Sequence, residues 1–539
     1  MAERLTKPLA GLVALGALAA LVVFPLGELF AAALADGPQA MAGLTGGALA
    51  RPLVNTLWTS AVVVVLALTA ATAAAWVTER STAPGRRWLR LGLVLPLLVP
   101  PYVSALSWGR AYGTAGLSEQ LTGVAVPGIY GAAGVVAVVT VNVMPLAYAI
   151  IAAALNVRAE PDLERAARAS GASAWTAFRT TTLALLRPAL VAAGALVFVG
   201  AANAFGVPAV LGRPAGFSTV TTRIYQDLVL SADPVAFGRV LLLSSLLVVV
   251  AFVVVGFTDL AVGLRFRAVR TGSPAGGAIA GPRPWLPALA IWAYLAVAVL
   301  LPLLALVLIA LSPAVGVAPT PGNWTLANFA AVLAGPARQA AANSLQLAVG
   351  AAVGTLALGG LLAVVARQRW SRPLGTAAVL TFALPGSALA VAVLLAHGAR
   401  LRDTLALILV AYLAKFWAIG HRSLAAGLDG IPPDLMRAAH ASGARRAAAA
   451  RTVTLPLLRP AIAAGGLLVF VFALHELTMS ALLYGPGAQT LAVVILNLNQ
   501  LGDVLATSAL AVLLTAAVLA VAGPAMLLQR GRARPTGFE

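Results

Sequence analysis

Long apolar runs separated by short polar loops dominate the pattern of this chain. Each run holds about 20 largely uncharged residues, the length that an α-helix needs to cross the hydrocarbon core of a bilayer. Strands of a membrane β-barrel would alternate over only about 10 residues, so the pattern predicts an all-α integral membrane protein. Twelve spans are predicted, at residues 8–34, 55–78, 91–111, 132–155, 189–210, 238–262, 286–312, 343–366, 374–397, 403–425, 460–484 and 503–527.

The charges between the runs predict an orientation. Only 10% of the residues are charged, against about 25% in a soluble domain, yet the net charge is +19. Lys7 and Lys415 are the only lysines, and most of the arginines fall in alternate loops, counted from the N-terminus. This positive-inside bias predicts a multi-pass membrane protein with both termini in the cytoplasm. Arginines spread over short loops between spans argue against nucleic-acid binding.

A Gly-, Pro- and Ser-rich segment near the middle of the chain divides it into two parts. Such a composition is typical of a flexible linker. We therefore predict a first six-helix domain at 1–262, a linker at 263–285 and a second six-helix domain at 286–539. Because six is even, both domains enter the membrane in the same direction and form parallel repeats.

Short motifs recur at matching places in the two predicted domains. Asn55-Thr56 near the start of the second span corresponds to Asn343-Ser344 near the start of the eighth. Leu95-Pro96 similarly corresponds to Leu384-Pro385 in the next helix. These pairs extend the repeat beyond the count of spans.

A basic loop is repeated almost unchanged. Arg165-Ala-Ala-Arg-Ala-Ser-Gly171 is followed 272 positions later (443 minus 171) by Arg437-Ala-Ala-His-Ala-Ser-Gly443. Pro161-Asp162 and Pro433-Asp434 favour a helix start in each copy. The glycine interrupts that helix, either as a bend or as a point of close approach. Each loop is thus predicted to form one or two short helices, whose alternative role is simple membrane-surface decoration.

The loop resembles the signature loop of permease subunits of binding-protein-dependent ABC importers, in which paired alanines precede a glycine and then a Leu-Pro pair. The resemblance implies the type I importer transmembrane fold, with each loop forming a coupling helix seated on one subunit of a cytoplasmic ATPase dimer. The corresponding residues here are Glu164, Arg165, Ala166, Ala167, Gly171 and Leu183, and Arg437, Ala438, Ala439, Gly443, Leu455 and Pro456.

The loops depart from the family pattern at two places. The family usually has glutamate directly before the paired alanines, where this chain has Arg165 and Arg437. In the first copy Glu164 stands one residue early, and Ala184 replaces the usual proline. Any salt bridge that the family glutamate makes is therefore expected to be absent or rebuilt.

The resemblance also suggests a substrate. Two fused six-helix halves, with segments such as Phe205–Gly212 and Glu476–Gly485, are most similar to the ferric-iron permeases. Fused thiamine and phosphonate permeases are similar too, so both substrates remain alternatives. A separate extracytoplasmic binding protein is implied as a partner, besides the ATPase and the membrane lipid.

Missing motifs restrict the chemistry. The chain has no cysteine, which excludes disulfides and thiol catalysis. Neither lysine lies in a Gly-x4-Gly-Lys phosphate-binding loop, so the chain is predicted to be no enzyme, to bind no cofactor and to rely on a partner that uses ATP.

Polar residues inside predicted spans are candidates for the translocation pathway, because a charge at mid-bilayer costs about 2.5–3.5 kcal/mol. They are Asn203, Lys415, His475 and Glu476. In the alternative, Glu476 is satisfied by a neighbouring helix through Lys415 or His475. One Glu and one His do not make a cage for a hard cation, so no stable metal site is predicted.

Two further hypotheses remain. Arg223, Tyr225, Asp227 and Asp233, in an outer loop, could contact a binding protein or simply be solvated. A proton- or sodium-coupled carrier can also have parallel six-helix halves, but it would need more intramembrane acids than Glu476 and would not need two matched loops.

Overall fold

The computed structural model describes residues 11–36, 47, 49–114, 116–158, 161–265, 285–317, 320–335, 337–366 and 381–531. Throughout these residues the regular structure is helical, without a β-strand. Most of the predicted linker, 266–284, lies outside the described residues.

Ten helices of the described part are long and apolar enough to cross a membrane. A pair of helices bent by 102° would be an eleventh if the pair crosses as one broken span, and the 16-residue helix Gly386–Leu401 occupies the place of the remaining predicted one. In chain order they are Gly11–Ala35, Ala50–Arg80, the bent pair Arg86–Leu97 and Pro101–Thr122, Ala132–Val157, Ala174–Ala202, Ala236–Thr258, Trp285–Leu311, Ala337–Val365, Gly386–Leu401, Leu405–Asp429, Ala447–Leu474 and Val504–Pro524.

Shorter helices connect these spans. At one end of the bundle lie Pro161–Ala169, Ala174–Ala177, Pro433–Ala441 and Arg446–Ala449. At the other end and around the middle lie Leu117–Thr122, Val220–Tyr225, Ala327–Ala334, Thr478–Leu483 and Leu491–Gln500.

Three of the predicted spans are placed differently by the structure. The predictions 189–210 and 460–484 were wrong in register, because helices Ala174–Ala202 and Ala447–Leu474 begin earlier and end before Asn203 and His475. Pro188 and Pro460 lie inside these helices and do not mark their starts. In the third, predicted at 374–397, the described helix begins only at Gly386, and 374–380 lie outside the described residues.

Each half is built around three mutually packed helices. In the first half these are Ala50–Arg80, Ala132–Arg158 and Leu183–Ala202, and in the second they are Ala337–Val365, Leu405–Asp429 and Leu455–Leu474. Their buried residues form one continuous apolar core that includes both halves.

The recurring Asn-Thr and Asn-Ser pairs make the same contacts in both halves. The Asn55 amide donates to the Ser218 carbonyl at 2.9 Å, and the Asn343 amide donates to the carbonyls of Gly487 and Gln489, each at 2.9 Å. The neighbouring hydroxyls of Thr56 and Ser344 accept from the N–H groups that open helices Val220–Tyr225 and Leu491–Gln500. The repeated dipeptide therefore fixes a backbone junction inside the bundle.

The first span of each half packs against the other half. Helix Phe24–Ala35 lies on Gly386–Leu401, and Leu301–Leu311 lies on Pro101–Tyr112. Helices that cross over in this way interlock the two repeats.

Each crossing span contains a π-helical turn directly before a proline. In the first, the Phe24 N–H bonds to the Ala19 carbonyl. The next residue is Pro25, which has no N–H, so the Ala20 carbonyl receives no hydrogen bond from it. His397 Nε2 of the second half lies 3.0 Å from that oxygen.

The same contact recurs in the seventh span, Trp285–Leu311. Pro302 has no N–H for the Val297 carbonyl, and Tyr112 Oη of the first half donates to it. An orphaned carbonyl in each crossing span is thus satisfied by a side chain of the opposite half.

The helix breaks correct one sequence match. Helix Pro101–Tyr112 follows Pro100, and helix Gly386–Leu401 follows Pro385. Pro100 is therefore the structural counterpart of Pro385, whereas Pro96 lies upstream in the 3-10 turn Leu95–Leu97.

Close helix packing in the second half depends on Gly420. A Cβ at this position would lie 2.4 Å from the Thr355 carbonyl oxygen, so we expect Gly420→Ala to destabilise the protein by about 1–3 kcal/mol. Gly256→Ala is the matched control, because nothing lies within 4 Å of its Cβ position and it also stands in a spanning helix. Thermal unfolding of the purified protein in detergent measures both, and an equal midpoint for the two variants would contradict this packing.

Candidate functional site

The two repeated loops have the same backbone construction. Helices Pro161–Ala169 and Pro433–Ala441 each end at a glycine with positive φ, 90° at Gly171 and 79° at Gly443. The Gly171 N–H bonds to the Arg168 carbonyl at 3.0 Å, and the following N–H bonds to the Ala167 carbonyl at 3.1 Å. The second copy has the same two bonds, which define a Schellman helix end.

The glycine is therefore a bend, which was one of the two alternatives for it. Nothing lies within 4 Å of a Cβ built at Gly171 or Gly443, so neither is a point of close approach. What requires glycine is the left-handed backbone, which other L-residues adopt at a cost of about 1–2 kcal/mol.

Both loops expose the same apolar face. Leu163 and Leu435, which stand 272 positions apart (435 minus 163), are 47% and 44% exposed. Ala166 and Ala438 are exposed beside them, and Ala167 and Ala439 are half-buried. We define the coupling-loop face as Leu163, Ala166 and Ala167 with their counterparts Leu435, Ala438 and Ala439. This face is apolar, whereas the surface of an exposed loop is ordinarily charged.

The arginines that depart from the family pattern form local ion pairs. Arg165 contacts Asp162 at 2.9 Å, and Arg437 contacts Asp434 at 3.1 Å, each one helical turn apart. All four side chains are largely exposed, so these pairs contribute little to stability. Each arginine is thus paired within its own helix.

The remaining coupling-loop candidates lie outside the exposed helices. Leu183 and Leu455 are the first residues of helices Leu183–Ala202 and Leu455–Leu474, with Pro456 next in the second copy. In both copies a π-helical turn precedes them, Phe178–Thr182 or Ala450–Thr454, so Ala184 in place of proline does not remove the turn.

Glu164, in the first of the exposed helices, is itself buried. Its side chain is 3% exposed and bonds to Thr182 at 2.9 Å instead of joining the apolar face.

A cavity of about 320 Å³ lies between the two halves. All four polar pathway candidates line it: Asn203, Lys415, His475 and Glu476. Much of the remaining wall is aromatic, formed by Phe205, Phe382, Phe416, Phe472 and Tyr102. The structure thus brings together residues that are more than 270 positions apart in the sequence.

Glu476 and Lys415 bond to backbone at helix ends, not to each other. The Glu476 carboxylate accepts from the N–H groups of Met479, at 2.9 and 3.0 Å, and of Ser480, at 3.1 Å. It therefore caps helix Thr478–Leu483, where the positive end of the helix dipole favours a carboxylate. The Lys415 ammonium donates to the Phe382 carbonyl at 3.0 Å and also to that of Leu384.

His475 and Asn203 mark equivalent helix ends. They follow helices Leu455–Leu474 and Leu183–Ala202, respectively. The His475 ring is buried and meets the Phe472 ring edge-on, with a centroid distance of 5.9 Å. Its Nδ1 has no hydrogen-bond partner among the described residues. Neither His475 nor Lys415 forms a direct hydrogen bond or ion pair with Glu476 there, so the alternative in which one of them pairs with Glu476 is not what the described residues form.

Two further residues of the cavity wall were missed from the sequence. Asn142, whose side-chain oxygen accepts from Ser104 at 3.0 Å, and Tyr102 both line the cavity. Asn142 could have been found as an amide inside the apolar run of helix Ala132–Arg158, and Tyr102 as the residue after Pro100-Pro101.

The outer acidic residues form an internal cluster. Asp227 is buried and pairs with Arg223 at 2.9 Å and Arg239 at 3.0 Å, and Arg239 also contacts Asp233 at 2.8 Å. The Val235 N–H and the Arg239 guanidinium lower the pKa of the Asp233 carboxyl. Tyr225 accepts from Gln500 at 3.3 Å. These contacts give the cluster a role in joining a short helix to the next span.

Metal-ligand side chains are not grouped in the described part of the chain. Within it, no three His, Asp or Glu side chains stand close enough together to hold a metal ion.

Comparison with known proteins agrees with this architecture. The family described as binding-protein-dependent transport system inner membrane component matches residues 49–263 and 355–531. A probable ABC transporter permease of Sinorhizobium fredii is 26% identical over 472 residues, covering 82% of this chain and 81% of the relative.

Two other relatives have substrates in their names. An Fe(3+)-transport system permease of Haemophilus influenzae is 24% identical over 479 residues, covering 83% of this chain and 84% of the relative. A putative 2-aminoethylphosphonate transport system permease of Salmonella paratyphi A is 29% identical over 205 residues, covering 37% of this chain and 77% of the relative.

The family match falls once in each half, and both matched segments contain one of the loops with the Schellman glycine. The matched segments make up well over half of the 539 residues. The chain belongs to the family of binding-protein-dependent transport system inner membrane components, the multi-pass inner-membrane permeases of ABC transporters.

Proposed function

We propose that this chain supplies both halves of the membrane permease of an ABC importer, which moves a small substrate from an extracytoplasmic binding protein into the cytoplasm. The observation that carries the proposal is the pair of exposed apolar helices, built alike 272 positions apart at the same end of two parallel halves. A dimeric partner with two equivalent clefts matches such a pair. The chain itself hydrolyses no ATP and binds no cofactor.

The coupling-loop face is the docking surface for the ATPase dimer. Leu163 and Leu435 supply apolar anchors, and the flanking alanines let a partner backbone approach closely. The exposed Arg165 and Arg437 stand at the rim, where charges steer association more than they add affinity. This face is cytoplasmic because the arginine-rich loops are on the same side, together with both termini.

The cavity between the halves is the translocation pathway in this proposal. Helix ends form part of its wall, from Pro101 and Gly386 to the breaks after Ala202 and Leu474, and the middles of helices Ala132–Arg158 and Leu405–Asp429 form another part. When ATP closes the partner dimer, the two coupling helices approach each other and the halves turn about their interlocked first spans. Movement of the wall helices then opens the cavity to the outside.

Ferric iron is the proposed substrate, because the ferric permeases match nearly the whole chain. Besides the relative in Haemophilus influenzae, a ferric permease of Actinobacillus pleuropneumoniae is 24% identical over 508 residues, covering 89% of this chain and 72% of the relative. The Glu476 carboxylate is already engaged by backbone N–H groups, so the cavity would pass the ion and not store it. Capture is left to the binding protein.

A phosphonate is the second candidate. Lys415 places a cation in the cavity wall, where it could attract an anionic phosphonate, and the 2-aminoethylphosphonate relative is 29% identical over 205 residues. Uptake by proteoliposomes containing the permease, its ATPase and the binding protein distinguishes the two candidates with radiolabelled ferric iron and phosphonate. ATP-independent uptake that follows a proton or sodium gradient would overturn the importer proposal in favour of an ion-coupled carrier.

The glycine bend of each loop supplies the first functional prediction. Gly171→Val and Gly443→Val place a β-branched residue in left-handed backbone, at a cost of at least about 1–2 kcal/mol. We expect ATP-driven uptake to fall roughly tenfold or more, with membrane insertion retained. Gly171→Asn and Gly443→Asn are the controls, since asparagine tolerates this conformation and should keep most of the uptake. Unchanged uptake in both valine variants would remove these loops from coupling.

The capping role of Glu476 supplies the second functional prediction. Glu476→Gln keeps one acceptor oxygen for the Met479 and Ser480 N–H groups and should lose about 1 kcal/mol of stability, whereas Glu476→Ala removes both oxygens and should lose about 1.5–3 kcal/mol. Uptake should therefore be largely retained in the Gln variant and strongly reduced in the Ala variant. A Gln variant that is folded but inactive would instead indicate a carboxylate that carries protons.

A further inference from the structure

The first coupling helix is fastened to its own half by a buried carboxylate. Glu164 lies in helix Pro161–Ala169, about 100° around the helix axis from Leu163, and is 3% exposed where Leu163 is 47% exposed. Its carboxylate accepts from Thr182 Oγ1 at 2.9 Å, and Thr182 ends the π-helical turn that leads into the fifth span. The bond therefore closes the loop across the Gly171 bend.

The carboxylate also faces a buried guanidinium. Arg80, at the end of helix Ala50–Arg80, is 3% exposed and interacts electrostatically with Glu164. Its Nη2 donates to the Leu155 carbonyl at 2.6 Å, which joins the second and fourth spans. A buried charge needs such partners, because an unpaired one costs several kcal/mol.

Further polar groups extend this layer beneath the loop. Glu79 accepts from Arg90 at 2.9 Å and from Asn156 at 3.0 Å, and Thr78 bonds to Tyr148 at 2.9 Å. The second span, the fourth span and helix Arg86–Val94 are thereby held together next to Arg80, the residue that interacts with Glu164.

Within the described residues, the second coupling helix has no counterpart of the Glu164–Thr182 bond. Met436 occupies the place of Glu164, 272 positions later (436 minus 164), and Thr454 occupies that of Thr182. The Thr454 hydroxyl reaches the Met436 sulfur at 3.4 Å, a weak acceptor without charge. Gly420 takes the place of Tyr148, so close packing replaces the hydrogen bond to Thr78.

We infer that Glu164 is a positioning residue, which fixes the first coupling helix to its own half so that the two coupling helices follow the ATPase with unequal stiffness. The first helix moves as one body with spans two, four and five. The second, held by Met436, shifts more freely relative to its half. The inference rests on the proposed coupling function, and it places Glu164 outside the surface that contacts the ATPase.

Substituting Glu164 and Met436 by each other's residue type tests the inference. Amide hydrogen exchange is measured on the full permease, in the 161–169 and 433–441 segments, for the wild type, Glu164→Met, Glu164→Gln and Met436→Glu. In the wild type, the first segment should exchange roughly ten- to hundredfold more slowly, the effect of one hydrogen bond to a charged acceptor. Glu164→Met should remove this difference, and Glu164→Gln, which still accepts from Thr182, should keep most of it.

A double-mutant cycle tests the specific partner. Thr182→Val should accelerate exchange less than Glu164→Met does, because it leaves the interaction of Glu164 with Arg80 in place. The double variant should resemble Glu164→Met, because the Thr182 bond is already lost in that variant. With ATPase and binding protein present, Glu164→Met should raise the ATP hydrolysed per substrate imported, whereas Met436→Leu should leave this ratio unchanged.

Three results would overturn the inference: equal exchange of the two segments in the wild type, fully additive effects of Glu164→Met and Thr182→Val, or an unchanged ratio of ATP to substrate in Glu164→Met. Failure of the proposed function looks different. In that case the wild-type complex shows no ATP-driven uptake, while the exchange difference between the segments persists in the isolated permease.

Discussion

Backbone groups that leave a helix inside a bilayer must find partners within the protein, because lipid offers none. This chain interrupts its helices around the central cavity and in both crossing spans, so its architecture depends on how those groups are satisfied. Glu476 takes two N–H groups at the start of helix Thr478–Leu483, and Lys415 takes two carbonyls before Gly386. Two costly intramembrane charges thus make an interrupted backbone possible.

The first half satisfies the backbone groups of its interrupted helix without charged side chains. Ala204 stands where the second half has Glu476, and Val143 where it has Lys415, each 272 positions earlier (476 minus 204, 415 minus 143). Pro208 stands in the place of Ser480 and has no N–H that would need a cap. Thr221 Oγ1 donates to the free Ala204 carbonyl at 2.7 Å. The first half therefore stabilises its helix break by having no N–H donor at Pro208, whereas the second half supplies the Glu476 carboxylate as an acceptor.

The features that could be predicted from the sequence are those that depend on the length of apolar runs and on motifs repeated in both halves. Runs of about 20 apolar residues are enough to place most spans, and the Asn55 and Asn343 pairs marked a junction that the structure confirms. Helix ends were harder, since Pro188 and Pro460 look like boundaries but lie within continuous helices. A proline removes only one hydrogen bond, and surrounding packing can compensate for that loss.

Partners of single polar residues could not be predicted, because they depend on tertiary placement. Glu476 was equally compatible with a bond to Lys415, to His475 or to backbone, and only the position of Met479 and Ser480 decides among them. Glu164 stands next to the expected family position, yet its burial against Thr182 depends on the Gly171 bend. A one-residue offset on a helix rotates a side chain by about 100°, which is enough to turn it from an exposed face toward the core.

The repeats consequently share a backbone plan but differ in polar chemistry. The helices of both repeated loops have the same Schellman end, the same exposed leucine and the same Asp–Arg pair. Among the described residues, the charged cavity residues Lys415 and Glu476 belong to the second half, and the buried charges Glu164 and Arg80 belong to the first. In the proposed complex, a symmetric ATPase requires only the shared surface, so the two halves can differ wherever that partner does not reach. Fusion into one chain makes such divergence possible, because each half always meets the other and never a second copy of itself.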